Sequence, residues 1–426
     1  MKVPVVIVGA GACGLVAALA ARDAGAEVLV LERDQSPSGS TALSSGFIPA
    51  AGTRYQRAAG IDDSPQRFAA DVQRKNHGEA DARIVEVVTR TIGPTLEWLD
   101  DEHGLRFDVL RGFTYPGHSC LRMHALPEKT GEALMAALLR ACADVDILTS
   151  ARVTDVNPER VRFERPDGAS EEVEYEALVL ACSGYGGNKE MVGRYLPEIS
   201  SALYFGHVGN QGDAVRWGTG LGGTVKDMSA YQGHGSVATP HGILITWALM
   251  TEGGIQVNAD GERFSNEHLG YSEQCLPVIR QPGGIAWCIY DQRLHELGMT
   301  FPDYRDAHAA GAVRPAPDLP RLRETLVRVE AYVSGAKDPF GRDFTSKPKL
   351  QPPYYGIKVT GALFHTQGGL VVDESARVLP LENVFAGGGA ARGVSGAHVW
   401  GYLSGNGLLS AVALGRIAGM SAAKLA

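Results

Sequence analysis

Apolar runs alternate with glycine turns along this chain in a way that predicts parallel strands joined by helices. The run Val5 to Val8 feeds into Gly9-Ala10-Gly11-Ala12-Cys13-Gly14, a helical stretch follows from Leu15 to Ala24, and a second run, Val28 to Leu31, ends on Glu32. Strand, tight turn, helix and acidic strand end in this register form a β-turn-α-β unit suited to a dinucleotide. Gly9 permits the turn, Gly11 lets the backbone approach a pyrophosphate, and Gly14 lets the helix pack closely on the sheet. Ala12 and Cys13 stand at the helix start, where amides face phosphates. Glu32, with Arg33 beside it, stands where a carboxylate accepts bonds from a ribose diol. The competing reading is a glycine-rich turn without a ligand.

Small and hydroxyl residues then dominate from Ser36 to Gly46. Ser40, Thr41, Ser44, Ser45 and Gly46 make a loop able to follow a bound cofactor closely, or an ordinary surface turn. Apolar spacing predicts helices over Pro65 to Gly78, Asp81 to Glu102 and Thr130 to Ala143. Strands around 145–148, 152–156 (with Val153), 161–164 and 172–174 resemble a small antiparallel layer. The run Ala177 to Ala181 meets Cys182-Ser183-Gly184-Tyr185, a second place for backbone to touch the cofactor. Asp213 opens a helix that ends at the Gly220 to Gly223 cluster. From Thr224 the organisation changes to histidines, aromatics and a charged helix at 320–333, and after about residue 350 apolar strands and glycines return. The expected fold class is α/β: a Rossmann-like dinucleotide-binding domain in two parts, 1–225 and 351–426, interrupted by a smaller α+β cap, 226–350. A cleft between the two would let a substrate meet the cofactor away from water.

Composition narrows the function. The 426 residues include 53 glycines, above the ordinary level of about 7%, and the formal charge is −8 with no dense Lys/Arg block, so no nucleic-acid partner is expected. Cysteines at 13, 120, 142, 182, 275 and 288 form no CxxC cluster, which argues against iron-sulfur and structural zinc sites. No apolar stretch approaches the roughly 20 residues of a membrane span. The first strand begins by about residue 3, leaving no room for a leader. A cytoplasmic protein without an integral membrane segment is expected.

Several later motifs are more specific. Gly261-Glu262-Arg263-Phe264-Ser265-Asn266-Glu267, Tyr355-Gly356-Ile357-Lys358-Val359, His365-Thr366-Gln367-Gly368-Gly369-Leu370, the Ala386 to Gly389 turn and Ser404-Gly405-Asn406-Gly407-Leu408-Leu409 together resemble the flavoprotein subunits of fumarate reductase and succinate dehydrogenase, in the branch that includes the 3-ketosteroid dehydrogenases. The resemblance implies FAD, a mobile cap, and hydride transfer between the flavin and a carbon beside a carbonyl or carboxyl group. It adds Gly388, Gly389, Ser404, Gly405, Asn406 and Leu408 to the cofactor set. His365 matches the family's substrate histidine near the flavin, and His234 lies where the family places another. Two departures stand out. Tyr271 occupies the place of the arginine that shuttles a proton, and the second substrate arginine is missing from Ala397-His398-Val399-Trp400-Gly401-Tyr402. Residues 38–46 hold no histidine for a covalent flavin link, so non-covalent FAD is expected, and no quinone-linked partner subunit is implied.

The residues that remain suggest a mechanism. Tyr271 would abstract or return a proton at the α-carbon, with its phenol, ordinarily near pKa 10, tuned by a nearby positive charge or donors. His365 would donate to a carbonyl oxygen with His234 assisting. Arg392 would clamp a carboxylate or else bind FAD phosphate or an acidic side chain, and His398 and Tyr402 would line the same pocket. The main expectation is a dehydrogenase forming a C=C bond beside the carbonyl of a compact, cyclic ketone or keto acid. The alternative is a fumarate-like or enoate reductase acting on an unsaturated acid in the reverse direction, and a third reading is a non-catalytic FAD-binding redox partner. An electron acceptor or donor is required in the first two cases, and no motif selects it.

Overall fold

A computed structural model describes residues 2–426. Its first sheet has seven strands and grows from the predicted β-turn-α-β unit. Lys2–Val8 lies between Val28–Leu31 and Ser170–Leu180, all parallel, with Asp146–Leu148 beyond Val28–Leu31. Val384–Ala386 also pairs with Ser170–Leu180 in parallel, while Arg160–Glu164 and Arg152–Val156 extend the other side as an antiparallel meander. Two details differ from the reading of the sequence. The strand at 146–148 joins the parallel sheet through Val28–Leu31, not the antiparallel layer. The segments at 172–174 and 177–181 fall largely on one strand, whose outer half is polar and whose inner half is buried.

The helix Ala12–Asp23 is almost wholly buried because the C-terminal helix Asn406–Ala422 packs directly on it. Small residues make that approach possible. A β-carbon on Gly415 would stand 2.6 Å from the Cys13 carbonyl oxygen, and one on Gly387 would stand 2.6 Å from Cys13 Sγ. Two further helices, Pro65–Lys75 and Ala82–Asp101, cover the periphery, each begun by a capping side chain, Ser64 and Asp81.

A second seven-stranded sheet is built on Tyr354–Thr366. This long strand pairs antiparallel with Tyr231–Ala238 on one side and Ile285–Asp291 on the other. Read from the sequence, its apolar residues belong to the returning part of the first domain. In the structure they are the centre of the second sheet, which also takes in Leu203–Tyr204. Residues on both sides of the interval 226–350 therefore contribute to this layer. Its own apolar cluster centres on Trp247, Tyr290, Tyr304 and Ile357, and is separate from the larger core around the first sheet. The seam between the two sheets holds the site.

Candidate active site

Two cavities of about 200 and 370 Å³ meet along this seam and share Ser40, Thr41, Ser183, Gly388, Gly389 and Ala411 as common walls. The larger one lies over the first turn. Gly9 has φ 102°, and a β-carbon there would meet the Ala181 carbonyl oxygen at 2.8 Å, so only glycine fits. Gly11, Ala12, Cys13, Glu32, Arg33, Val153 and Asp213 all line this end. The Glu32 carboxylate is oriented by the Ala10 amide at 2.8 Å and the Asp34 amide at 2.9 Å. Gly14 lies behind the wall, where a β-carbon would collide with the Gly9 carbonyl. It serves helix packing, as its place in the motif implies.

The loop after Glu32 bridges the two cavities. Thr41 Oγ1 accepts from the Ala12 amide at 3.1 Å, and Ser44, Ser45, Ser404, Gly405 and Leu408 line the smaller cavity. Gly46, Gly184 and Asn406 stand outside the lining. Gly46 lies against the Thr130 carbonyl and Gly184 against Thr366, while the Asn406 amide donates to Ser395 Oγ at 3.1 Å. They support the walls from behind.

The residues fit FAD. Trp217 Nε1 and Ser410 Oγ are buried without a protein partner, and they line the joined cavity, Trp217 in its larger part and Ser410 in its smaller. Unsatisfied buried polar groups carry a desolvation cost that a polar ligand removes. Together with the glycine-lined turn and the Glu32 carboxylate, they make an elongated cradle with polar groups along its length.

The far end of the smaller cavity is aromatic. Tyr271 opens the helix Tyr271–Ile279 directly after Gly270, whose φ of 141° suits glycine alone. Its ring stacks on His234 with centroids 4.6 Å apart, and the other face of His234 stacks on Phe364 at 5.2 Å. A register shift between the strands Tyr231–Ala238 and Tyr354–Thr366 leaves Phe364 without a direct partner, a bulge that accompanies this stack. Trp247 meets His234 edge-on at 5.8 Å, Tyr115 meets Tyr271 at 5.8 Å, and Tyr402 lies 6.1 Å from Tyr271. Trp247, Phe364, Tyr115 and Phe301 were not singled out from the sequence. They come from four distant segments, and no local pattern joins them.

Both imidazoles are neutral donors. Burial lowers His234 to about 3 and His365 to about 4. His234 Nδ1 accepts from the Ser236 amide at 3.1 Å, which places the proton on Nε2. His365 Nδ1 faces the Gln367 amide nitrogen at 3.0 Å, while Gln367 Oε1 accepts from Ser395 Oγ at 2.8 Å. The same Nδ1 lies 3.3 Å from the Thr366 carbonyl oxygen, and the shorter contact, with the Gln367 amide, favours the proton on Nε2 here too.

Three expectations need correction. Tyr271 is not tuned towards a base: burial pushes its phenol up to about 12, and hydrogen bonding from Ser404 and Tyr402 offsets only part of the rise. Arg392 does not reach the cavity. It is buried with its Nε 2.5 Å from Asp227 Oδ2, so it is committed to an acidic side chain and not to a substrate carboxylate. His398 lies on the surface, its side chain 53% exposed, stacked on Trp400 and 3.6 Å from Glu79. Tyr402, by contrast, lines the smaller cavity. The charged side chains lining the smaller cavity are Lys129 and Asp303, and burial raises Asp303 to about 6.

Comparison with known proteins agrees with this architecture. Residues 4–408 match the family model for the FAD binding domain. A probable fumarate reductase of Shewanella frigidimarina is 29% identical over 99% of this chain and 74% of its own length. Among solved structures, an open conformation of a flavocytochrome c3 fumarate reductase superposes with a TM-score of 0.83 at 27% identity, covering 100% of this chain and 78% of that one. The fold is also that of a 3-ketosteroid-Δ4-(5α)-dehydrogenase from Rhodococcus jostii, with a TM-score of 0.78 at 24% identity over 99% and 97% of the two chains. Among the described residues no helix is long and apolar enough to cross a membrane. The chain belongs to the FAD binding domain family, as an FAD-dependent oxidoreductase acting on CH–CH groups within the fumarate reductase and succinate dehydrogenase flavoproteins.

Proposed function

We propose that this enzyme reduces the C=C bond of an uncharged α,β-unsaturated carbonyl compound, a compact cyclic enone fitting the aromatic end of the cavity. The observation that carries this reading is the neutrality of the reacting end. Two neutral imidazoles and three phenols, those of Tyr115, Tyr271 and Tyr402, line it with Ser404, and no arginine lines the smaller cavity. A dicarboxylate carries two charges and Lys129 is the one lysine or arginine lining the cavity, so at least one carboxylate buried against these groups would lack a counter-charge, at a cost of several kcal/mol. A ketone needs only hydrogen-bond donors, which the Nε2–H groups of His234 and His365 supply.

FAD, held non-covalently along the cradle, supplies the two-electron hydride chemistry when bound. The chain's own residues do the rest. His365 and His234 donate to the carbonyl oxygen, where charge gathers as the C=C electron pair shifts on addition at the β-carbon. Tyr271 gives its proton to the α-carbon, completing the saturated ketone. A phenol held protonated by burial suits this direction. The aromatic walls exclude water from the reacting end. The segment 226–350 acts as the cap over this end, and a separate redox carrier restores the electrons. Microscopic reversibility gives the dehydrogenase reading the same residues, with Tyr271 required as the phenolate.

Anaerobic mixing of reduced enzyme with matched panels of cyclic enones and unsaturated dicarboxylates tests the proposal. Reoxidation by enones at least tenfold faster than by fumarate is expected. Faster reoxidation by fumarate would refute the neutral-substrate reading. Bleaching of oxidised enzyme by saturated ketones without any reoxidation by enones would reverse the direction.

A further inference from the structure

Behind the Ser404–Gly405 wall lies a buried charge network outside the substrate and cofactor cavities. The Arg122 side chain is fully buried with those of Asp63 and Asp71. It donates to Asp63 at 2.8 and 2.9 Å and to Asp71 at 2.7 Å. Its Nη1 also lies 3.1 Å from His118 Nδ1. A guanidinium only donates, so Nδ1 accepts and the His118 proton sits on Nε2. That Nε2–H stands 3.0 Å from the Ser404 carbonyl oxygen. Burial first, and the Arg122 charge second, hold His118 neutral at about 4.

The carbonyl so held belongs to the middle of a tight turn. The Asn406 amide donates to the Leu403 carbonyl at 3.0 Å, and Gly405 has φ 87° and ψ −2°. These values define a type II turn, whose central peptide is Ser404–Gly405 and which differs from type I by a flip of that unit. Glycine at 405 accepts either form, so the turn sequence alone leaves the flip open. Carbonyl and N–H point to opposite sides of a trans peptide. With its carbonyl on His118, the unit turns the Gly405 N–H to the side away from His118; Ser404 and Gly405 line the smaller cavity together with Tyr271 and Tyr402, and a donor there lowers both phenols against the effect of burial.

We propose that the Arg122–His118 pair is a positioning device. It fixes the Ser404–Gly405 peptide with its N–H turned to the cavity wall that holds the two tyrosines, so that a donor meets the charge left on Tyr271 whenever its proton is transferred. This rests on the reading of Tyr271 as the proton-carrying residue. Facing Tyr271 are also His234 from the neighbouring strand, Tyr115, Tyr402, and Glu273 from its own helix, itself paired with Lys75. A change at His118 leaves each of these in place.

The test compares His118→Phe, which removes the donor, with His118→Gln, whose amide nitrogen can replace it, in the FAD-loaded full chain. Difluorotyrosine incorporated at position 271 lowers the phenol's ionisation into a range where the protein stays folded, and its ultraviolet phenolate band reports the titration without any substrate. His118→Phe should raise that ionisation by about one pH unit, a tenfold change in its equilibrium constant. It should also lower kcat about tenfold with KM within about twofold. His118→Gln should restore both. An unchanged titration in His118→Phe, or a His118→Gln as defective as it, overturns the proposal. If His118→Phe does not fold, glycine-labelled wild-type protein decides instead: the Gly405 amide resonance must move in both Tyr271→Phe and Tyr402→Phe, and invariance overturns the proposal. A wild-type enzyme that turns over neither enones nor ketones fails the functional reading alone, because the titration and the amide shift remain readable.

Discussion

Opposite pH dependences should distinguish the two directions of the reaction, and the size of the effect follows from Tyr271. Burial moves its phenol from 10 up to about 12, which disfavours ionisation by about 3 kcal/mol. At pH 7 the phenolate fraction is then about 10⁻⁵, against about 10⁻³ for an ordinary tyrosine. Dehydrogenation, which needs the phenolate, should rise about tenfold per pH unit between pH 7 and 10. Reduction, which needs the phenol, should stay flat over the same range. Tyr271→Phe removes the proton donor and should cost about 10²- to 10⁴-fold in kcat in both directions, and should abolish the alkaline rise. The assay is single-turnover flavin absorbance, anaerobic, with a saturated ketone in one arm and its enone in the other. A dehydrogenation plateau below pH 9, or a Tyr271→Phe enzyme within threefold of wild type, would refute the assignment. The same shift has a stability consequence: the preference for the neutral phenol is fully present below pH 10 and is lost as pH rises through 12.

Three other outcomes are expected. Gly9→Ala forces a β-carbon to 2.8 Å from the Ala181 carbonyl at φ 102°, so it should cost at least about 1–3 kcal/mol and lower FAD content, read by thermal unfolding and the flavin-to-protein absorbance ratio. Glu267 lies buried between Arg263 and Arg342, and the two guanidiniums overcome burial to hold it at about 2. Its stabilisation, about 3 kcal/mol, is present above pH 4.5 and lost as pH falls towards 2, and Glu267→Leu should cost about 3–5 kcal/mol at pH 7 in a urea titration. Denaturation should release all of the yellow chromophore from the polypeptide, because the loop 38–46 offers no histidine; colour retained on the denatured chain would refute non-covalent binding.

How much of this was legible in the sequence depended on whether the signal was local. Gly9, Gly11, Gly14 and Glu32 sit within two dozen residues, and each has a steric or bonding reason readable from its neighbours. Ser404 to Leu408 could be placed through a motif, although the flip of the Ser404–Gly405 peptide depends on His118, almost three hundred residues earlier. Tyr271 was found by its position, but its ionisation was misjudged because burial is a property of packing. Trp247, Tyr115 and Phe301 are brought to the seam from separate segments, and an aromatic side chain in one segment does not say which partners it meets. Arg392 shows the converse: its type suggested a carboxylate clamp, and Asp227, across the fold, takes that role from a substrate. The strand Tyr354–Thr366 was recognisable as a strand, but its sheet was not, because an alternation such as Ile357-Lys358-Val359-Thr360 marks a strand without naming its partner.

The site's neutrality is not caused by a shortage of arginine. Four arginines are buried in the chain, and each is committed to carboxylates of the chain itself: Arg122 to Asp63 and Asp71, Arg263 to Glu267 and Asp338, Arg342 to Glu267, and Arg392 to Asp227. Recruiting one for a substrate carboxylate would strand its partner, and breaking a buried pair costs about 3–5 kcal/mol. A tyrosine where the resemblance expects a proton-shuttling arginine therefore changes more than the proton carrier. It removes the cation that would otherwise stand uncommitted at the reacting end, and the remaining arginines are not free to replace it. The two features reinforce one another. A phenol that keeps its proton and an aromatic end that no arginine lines both favour a substrate that enters neutral, and the charge developing on its oxygen is met by hydrogen-bond dipoles.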